Sequence, residues 1–146
     1  MAIESLGLAM LLLGIARLQE RLWPLAAPNM GRGVLARIVG YCGAGLYEEV
    51  LFRLLLLPVV AQGLRWMGMA TGSSIAIAIL STSLVFSAAH YVGPLGDSFE
   101  VYSFTFRTLA GCFFAILFAI RGFGITAGTH AAYDMLVGLL LASAAF

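Results

Sequence analysis

Lysine is absent from this chain, and all eight basic residues are arginine. No two of them adjoin, so there is no basic run of the kind that binds phosphate backbones, and a nucleic-acid partner is excluded. Cysteine is nearly absent too. Cys42 and Cys112 stand alone in apolar segments. They form neither a C-x-x-C pair nor a disulfide framework, and read as small packing residues. Charge of either sign is scarce, at 10% of residues, where soluble domains carry about 25%. What fills the space is apolar: 62% hydrophobic residues and a mean hydropathy of +1.01. A soluble fold of 146 residues could not hide that much apolar surface, so the composition indicates one integral membrane domain.

The apolar runs are long and do not alternate, which suits helices rather than barrel strands. The reading is an all-α, polytopic transmembrane helical bundle with four spans and an additional N-terminal helix. Residues 3–16 are apolar apart from Glu4, but are short for a span of about 20 residues. They lack an A-x-A-like cleavage site and are expected to be retained. Residues 23–33, with Pro24, Pro28, Gly31 and Gly33, read as a loop. The spans follow at 33–62, 71–92, 101–120 and 123–146. Pro58 is expected to kink the first of these. Residues 93–97 read as a turn. Gly111, Ala115 and Ala119 have the four-residue spacing that lets helix backbones approach. The division is into residues 1–32, helix and loop, and residues 33–146, the transmembrane domain.

Six ionisable residues lie deep in these runs: Glu48, Glu49, Arg53, His90, His130 and Asp134. Each costs about 2.5–3.5 kcal/mol at mid-membrane on insertion scales, so they should face one another rather than lipid. Glu49 and Arg53 are four residues apart and can pair on one helix face. Glu48 points about 100° away from Glu49, toward a cavity. His130 and Asp134 project together from the last span, and the Phe86 ring can wall His90. Each element also has a plain structural reading. Glu49–Arg53 can be an insertion pair, His90 a hydrogen-bonded packing residue, and His130–Asp134 an intrahelical bond. Arg107 is expected to snorkel to the interface, and the five tyrosines to serve as belt or packing residues. The joint occurrence carries the functional reading.

Two histidines and a glutamate can bind zinc or another divalent metal with one position left for water. A buried carboxylate can also serve directly as general base, provided its surroundings match its proton affinity to the task. Either route activates water against a carbonyl, with a neighbouring polar group stabilising the oxyanion. No serine or cysteine is evidently paired with a base, and H-E-x-x-H is absent.

Three stretches then resemble a known family. EEVLFR, from Glu48 to Arg53, matches the E-E-x-x-x-R motif of CPBP intramembrane proteases, the CAAX-protease and bacteriocin-processing (Abi-type) group. FSAAH, ending at His90, matches its F-x-x-x-H motif, and HAAYD, from His130 to Asp134, its H-x-x-x-N/D motif. The order is the family's, over about residues 42–134. The resemblance implies a helical intramembrane endopeptidase with Glu48, His90 and His130 as catalytic residues. It gives Glu49, Arg53, Phe86 and Asp134 supporting places, and makes Glu48, His90 and His130 the candidate metal ligands. It also implies a membrane-associated protein or peptide substrate, such as a prenylated C-terminal CAAX sequence. Two departures stand out. Leu54 occupies a position that is often glycine, where its bulk would narrow the cavity or alter helix packing, and Asp134 stands where asparagine is common. Aspartate there suits a metal ligand or a group that orients His130.

Two other functions use the same residues. Buried Glu/His/Asp chains serve as proton relays, which suits a proton-coupled transporter, although no internal repeat is evident. A non-catalytic membrane immunity or scaffold protein would keep the fold alone. The lysine-free composition, rich in Ala, Gly and Arg, points to a prokaryotic plasma membrane.

Overall fold

The computed structural model describes residues 2–22, 34–93 and 96–141, all either helical or in short connections. The 23–33 loop, the turn residues Pro94 and Leu95, and residues 142–146 of the last expected span lie outside the described residues. In chain order the helices are α1 (Ala2–Leu22), α2 (Val34–Glu49), α3 (Leu57–Trp66), α4 (Thr71–Ala89), α5 (Val101–Arg121) and α6 (Phe123–Met135). Two π-helical segments, Val50–Leu56 and Leu136–Leu141, follow α2 and α6.

Helices and no strands among the described residues match the expected class. Two helices, α4 and α5, are long and apolar enough to cross a membrane. The four spans expected from hydropathy are not all of that kind. α2 has 16 residues and ends on its two glutamates, and α6 has 13 and carries His130 and Asp134. A π segment follows each. The first explains Pro58 differently from a kink one turn past Arg53. Proline has no N–H to return to the preceding turn. The chain adopts the wider π winding over Val50–Leu56, Arg53 included, and α3 restarts with the proline in its first turn.

The chain forms two compact units. The first comprises residues 1–49 and 123–146, the second residues 50–122. In the first, α6 packs against both α1 and α2. α1 runs further than the apolar stretch, through Arg17 and Arg21 to Leu22. It seats on α6 through buried Ala9 and Leu12, and the Ser5 hydroxyl donates to the Ile125 carbonyl at 3.4 Å.

In the second unit α4 packs on α5, and α3 on α4. Gly111 of α5 makes that approach possible. A Cβ there would sit 3.0 Å from the Ser83 Cβ and 3.2 Å from Phe86 Cδ1. Ala115 is buried beside it, whereas Ala119 is exposed, so the small-residue stripe works over one turn only. α4 is built inside out relative to a soluble helix. Its buried face holds Ser74, Thr82, Ser83 and Ser87. Their hydroxyls donate to carbonyls, Ser74 to Ala70 at 3.0 Å, Thr82 to Ala78 at 2.7 Å and Ser87 to Phe104 at 2.8 Å. Its outer face presents Ile75, Ile77, Leu80, Leu84 and Val85, each 41–55% exposed. Polar groups satisfied inside and branched aliphatics outside are what a hydrocarbon solvent selects. Cys42 is likewise exposed rather than packed, and Cys112 is half-buried.

Candidate active site

α2 delivers Glu48 and Glu49 on its last turn, and α6 delivers His130 and, one turn later, Asp134. Gly45, one turn before Glu49, lets the two helices close. A Cβ at that position would lie 3.2 Å from the Ala131 nitrogen and 3.5 Å from His130 Cγ. A Cβ there would press on the Ala131 backbone, next to His130, and hold the two helices apart.

Both glutamates then reach the same ring. His130 Nδ1 lies 2.8 Å from Glu49 Oε1, and both residues are buried, Glu49 completely. A carboxylate can only accept, so Nδ1–H donates, and Nε2 carries a lone pair when the ring is neutral and a second N–H when it is protonated. Around Nε2 sit Glu48 Oε2 at 3.5 Å and Asp134 Oδ2 at 3.7 Å. These two carboxylates are about a quarter exposed. The glutamates diverge, as their spacing predicts, but they do so around one histidine. Glu49 is its buried anchor, and Glu48 and Asp134 border the nitrogen that can exchange a proton. The contact of Glu49 with His130 spans 81 residues, and no local spacing announces it.

In the second unit Arg53 is 2% exposed and sits among aromatic rings. Its guanidinium carbon is 4.4 Å from the Phe86 centroid and 5.6 Å from that of Phe114. Nη2 donates to the Gly111 carbonyl at 3.3 Å. A desolvated cation over ring faces gains about 2 kcal/mol or more, which offsets part of the cost of burial. Phe86 meets Phe52 edge-on at 5.2 Å and His90 at 4.9 Å, so it does wall that histidine. His90 caps α4, and its Nδ1 donates to the Phe86 carbonyl at 2.8 Å. The bland reading of His90 as a hydrogen-bonded residue is thus partly met. In the neutral ring the same bond fixes Nε2 as its lone-pair nitrogen, as Glu49 does for His130. Leu54 is 45% exposed, so it faces outward and narrows nothing within its own unit. Arg107 has found a partner near the start of its helix. It pairs with Asp97 at 2.5 Å and lies over the Tyr91 ring.

Among the described residues, no group of three His, Cys, Asp or Glu side chains is arranged to hold a metal ion. Carboxylates and imidazole are the reactive groups that the described residues bring together. Sequence reasoning missed Gly45 and Phe114. The glycine four residues before Glu49 is the signal that could have found the first.

The family model described as type II CAAX prenyl endopeptidase, Rce1-like, matches residues 31–136, most of the chain. The chain belongs to that family. The resemblance drawn from the three motifs is borne out, and the Rce1-like match begins just before α2 and ends just after Asp134. No curated protein and no solved structure matches the chain. Membership in the Rce1-like family supports an intramembrane protease that acts on a membrane-associated peptide or protein. The two membrane-length helices agree with that setting.

Proposed function

We propose that the protein is an intramembrane endopeptidase in which Glu48 activates the attacking water. The observation that carries this is the pair of carboxylates, Glu48 and Asp134, flanking Nε2 of an imidazole whose other nitrogen is anchored by buried Glu49. Separations of 3.5–3.7 Å suit a water seated beside Nε2 and shared with a carboxylate. Glu48 takes one proton of that water as the oxygen adds to the scissile carbonyl. The tetrahedral oxyanion collapses, the C–N bond breaks, and the proton passes to the departing amine. As the imidazolium, held by Glu49 at Nδ1–H, His130 donates its Nε2–H to developing charge, and Asp134 keeps its ring in register. His90 is kept in the catalytic set on its motif position, as a second donor to the oxyanion when its Nε2 is protonated. Zinc or another divalent metal on Glu48, His90 and His130 is the alternative way to activate the water.

The substrate class that the family name supports is a C-terminal CAAX sequence on a prenylated, membrane-bound protein. Bacteriocin precursors, as in Abi-type members, are the second class to assay. Four spans in a prokaryotic plasma membrane complete the proposal. Glu48→Ala, His90→Ala and His130→Ala are tested in proteoliposomes on a prenylated CAAX peptide. Turnover is expected to fall at least about a hundredfold in the Glu48 and His130 variants. Unchanged turnover in all three would sink the mechanism. Elemental analysis of the purified protein, with and without Glu48, separates metal-assisted from glutamate-only chemistry. Ion flux abolished by Glu48→Gln, without proteolysis, would favour a transporter instead.

A further inference from the structure

His90 closes α4, and described residues of the connection after it decide how firmly that end is held. Three contacts fold the connection back on the helix. Gly96 lies against the Tyr91 backbone so closely that a Cβ would come within 2.8 Å of its carbonyl carbon. The Asp97 N–H donates to the His90 carbonyl at 2.9 Å. The Asp97 carboxylate receives Arg107 Nη2 at 2.5 Å.

Arg107 is an odd residue to find there. It lies in the second turn of a membrane-length apolar helix, and its Nη1 is buried without a hydrogen-bond partner among the described residues. Such a group is expensive in that setting. Its compensating contacts all converge on the end of α4. One is Asp97. The other is the Tyr91 ring, 5.3 Å below the guanidinium, next to His90 in sequence. Tyr91 is in turn fixed by its hydroxyl, which donates to Ser103 Oγ at 2.8 Å, and by Phe99 and Phe104 at 5.3 and 6.2 Å. The guanidinium thus braces the residues on both sides of the connection, and both brace His90. Arginine suits this work because one planar group can bind a carboxylate with its edge and cover a ring with its face.

We infer that Asp97 and Arg107 are positioning residues for His90. Their ion pair holds the last turn of α4 so that the imidazole keeps its Nδ1–H on the Phe86 carbonyl and presents Nε2 in one direction. Neither touches substrate. The inference rests on the proposed catalytic place of His90, but its structural half can be tested without turnover.

The chain has only two histidines, so histidine-specific ¹⁵N labelling yields two ring systems, and His130→Ala assigns them. Spectra are recorded on the full chain in nanodiscs. In Arg107→Gln, Asp97→Ala and Gly96→Ala the His90 ring signals are expected to shift or split, while those of His130 stay in place. Gly96→Ala keeps both charges and displaces only the connection, so it also serves if removing a charge unfolds the protein. The Arg107→Gln and Asp97→Ala changes should not add in the double variant. On a prenylated CAAX peptide kcat is expected to fall about tenfold with KM within about twofold, the signature of lost alignment. His90 signals that stay unchanged in folded Arg107→Gln, additive effects, or a loss confined to KM would each overturn the inference. A wild type without peptidase activity sinks the proposed function, and the spectra still decide whether the pair positions His90.

Discussion

Replacing Glu49 by glutamine tests how much of the chemistry depends on the buried anchor rather than on Glu48. The glutamine keeps the size of the side chain and an oxygen that can accept from His130 Nδ1–H, but it loses the charge. The contact is 2.8 Å long and closed to solvent at both residues. A hydrogen bond to a charged group contributes about 1.5–3 kcal/mol, against about 0.5–1.5 for a neutral one. If the anchor acts chiefly by holding His130 as the imidazolium that meets charge developing in the transition state, much of that difference appears in kcat. At about 1.36 kcal/mol per decade, the full charged bond corresponds to about a 10- to 150-fold loss, and the Glu49→Gln variant should fall in the lower part of that range. Glu49→Ala should fall at the upper end or lower, because Nδ1–H is left without its described acceptor. The assay is steady-state hydrolysis of a prenylated CAAX peptide in proteoliposomes, with a thermal melt to show that each variant is folded. A folded Glu49→Gln enzyme within about twofold of wild type in kcat would refute the role of Glu49 as His130's electrostatic anchor.

Two further outcomes follow from packing. Gly45→Ala places a methyl 3.2 Å from the Ala131 nitrogen and 3.5 Å from His130 Cγ, so it should cost about 1–3 kcal/mol. It should also lower kcat more than it raises KM, read from melting curves and initial rates on the same preparations. Phe86→Ala removes the ring that contacts Phe52, His90 and the Arg53 guanidinium, and should destabilise by about 3–5 kcal/mol. Phe86→Leu should recover part of that stability but not the cation–π share, and equal melting temperatures for Phe86→Leu and wild type would refute the contact's importance.

Much of the candidate site was legible because polar groups in hydrocarbon are conspicuous. A carboxylate or imidazole amid aliphatic residues has few reasons to be there, so Glu48, His90, His130 and Asp134 could be singled out together. Four-residue spacings also carry over, since helix geometry is local: Phe86 does meet His90, and Asp134 does sit beside His130. Pairings across long stretches of chain were not legible. Glu49 and His130 meet because Gly45 lets α2 approach α6, and no helical period encodes that distance. Arg107 shows the same limit. Its position near a helix start suggested the interface, but only the tertiary structure supplies its Asp97 partner, on a connection that folds back.

Hydropathy by itself pointed to an apolar solvent and, through long runs that do not alternate, to helices, but of the four spans it placed only two, α4 and α5, are long and apolar enough to cross a membrane. The sequence also determined the family, through three ordered motifs. The tertiary structure decided what each polar group does. It set Glu49 behind the histidine and Glu48 before it, turned Leu54 outward, wound Val50–Leu56 into a π segment ahead of Pro58, and anchored the end of α4 through Arg107. The physical reason is one of range: burial and helix period act over a few residues, whereas the direction of a proton depends on which atoms packing brings within about 3 Å.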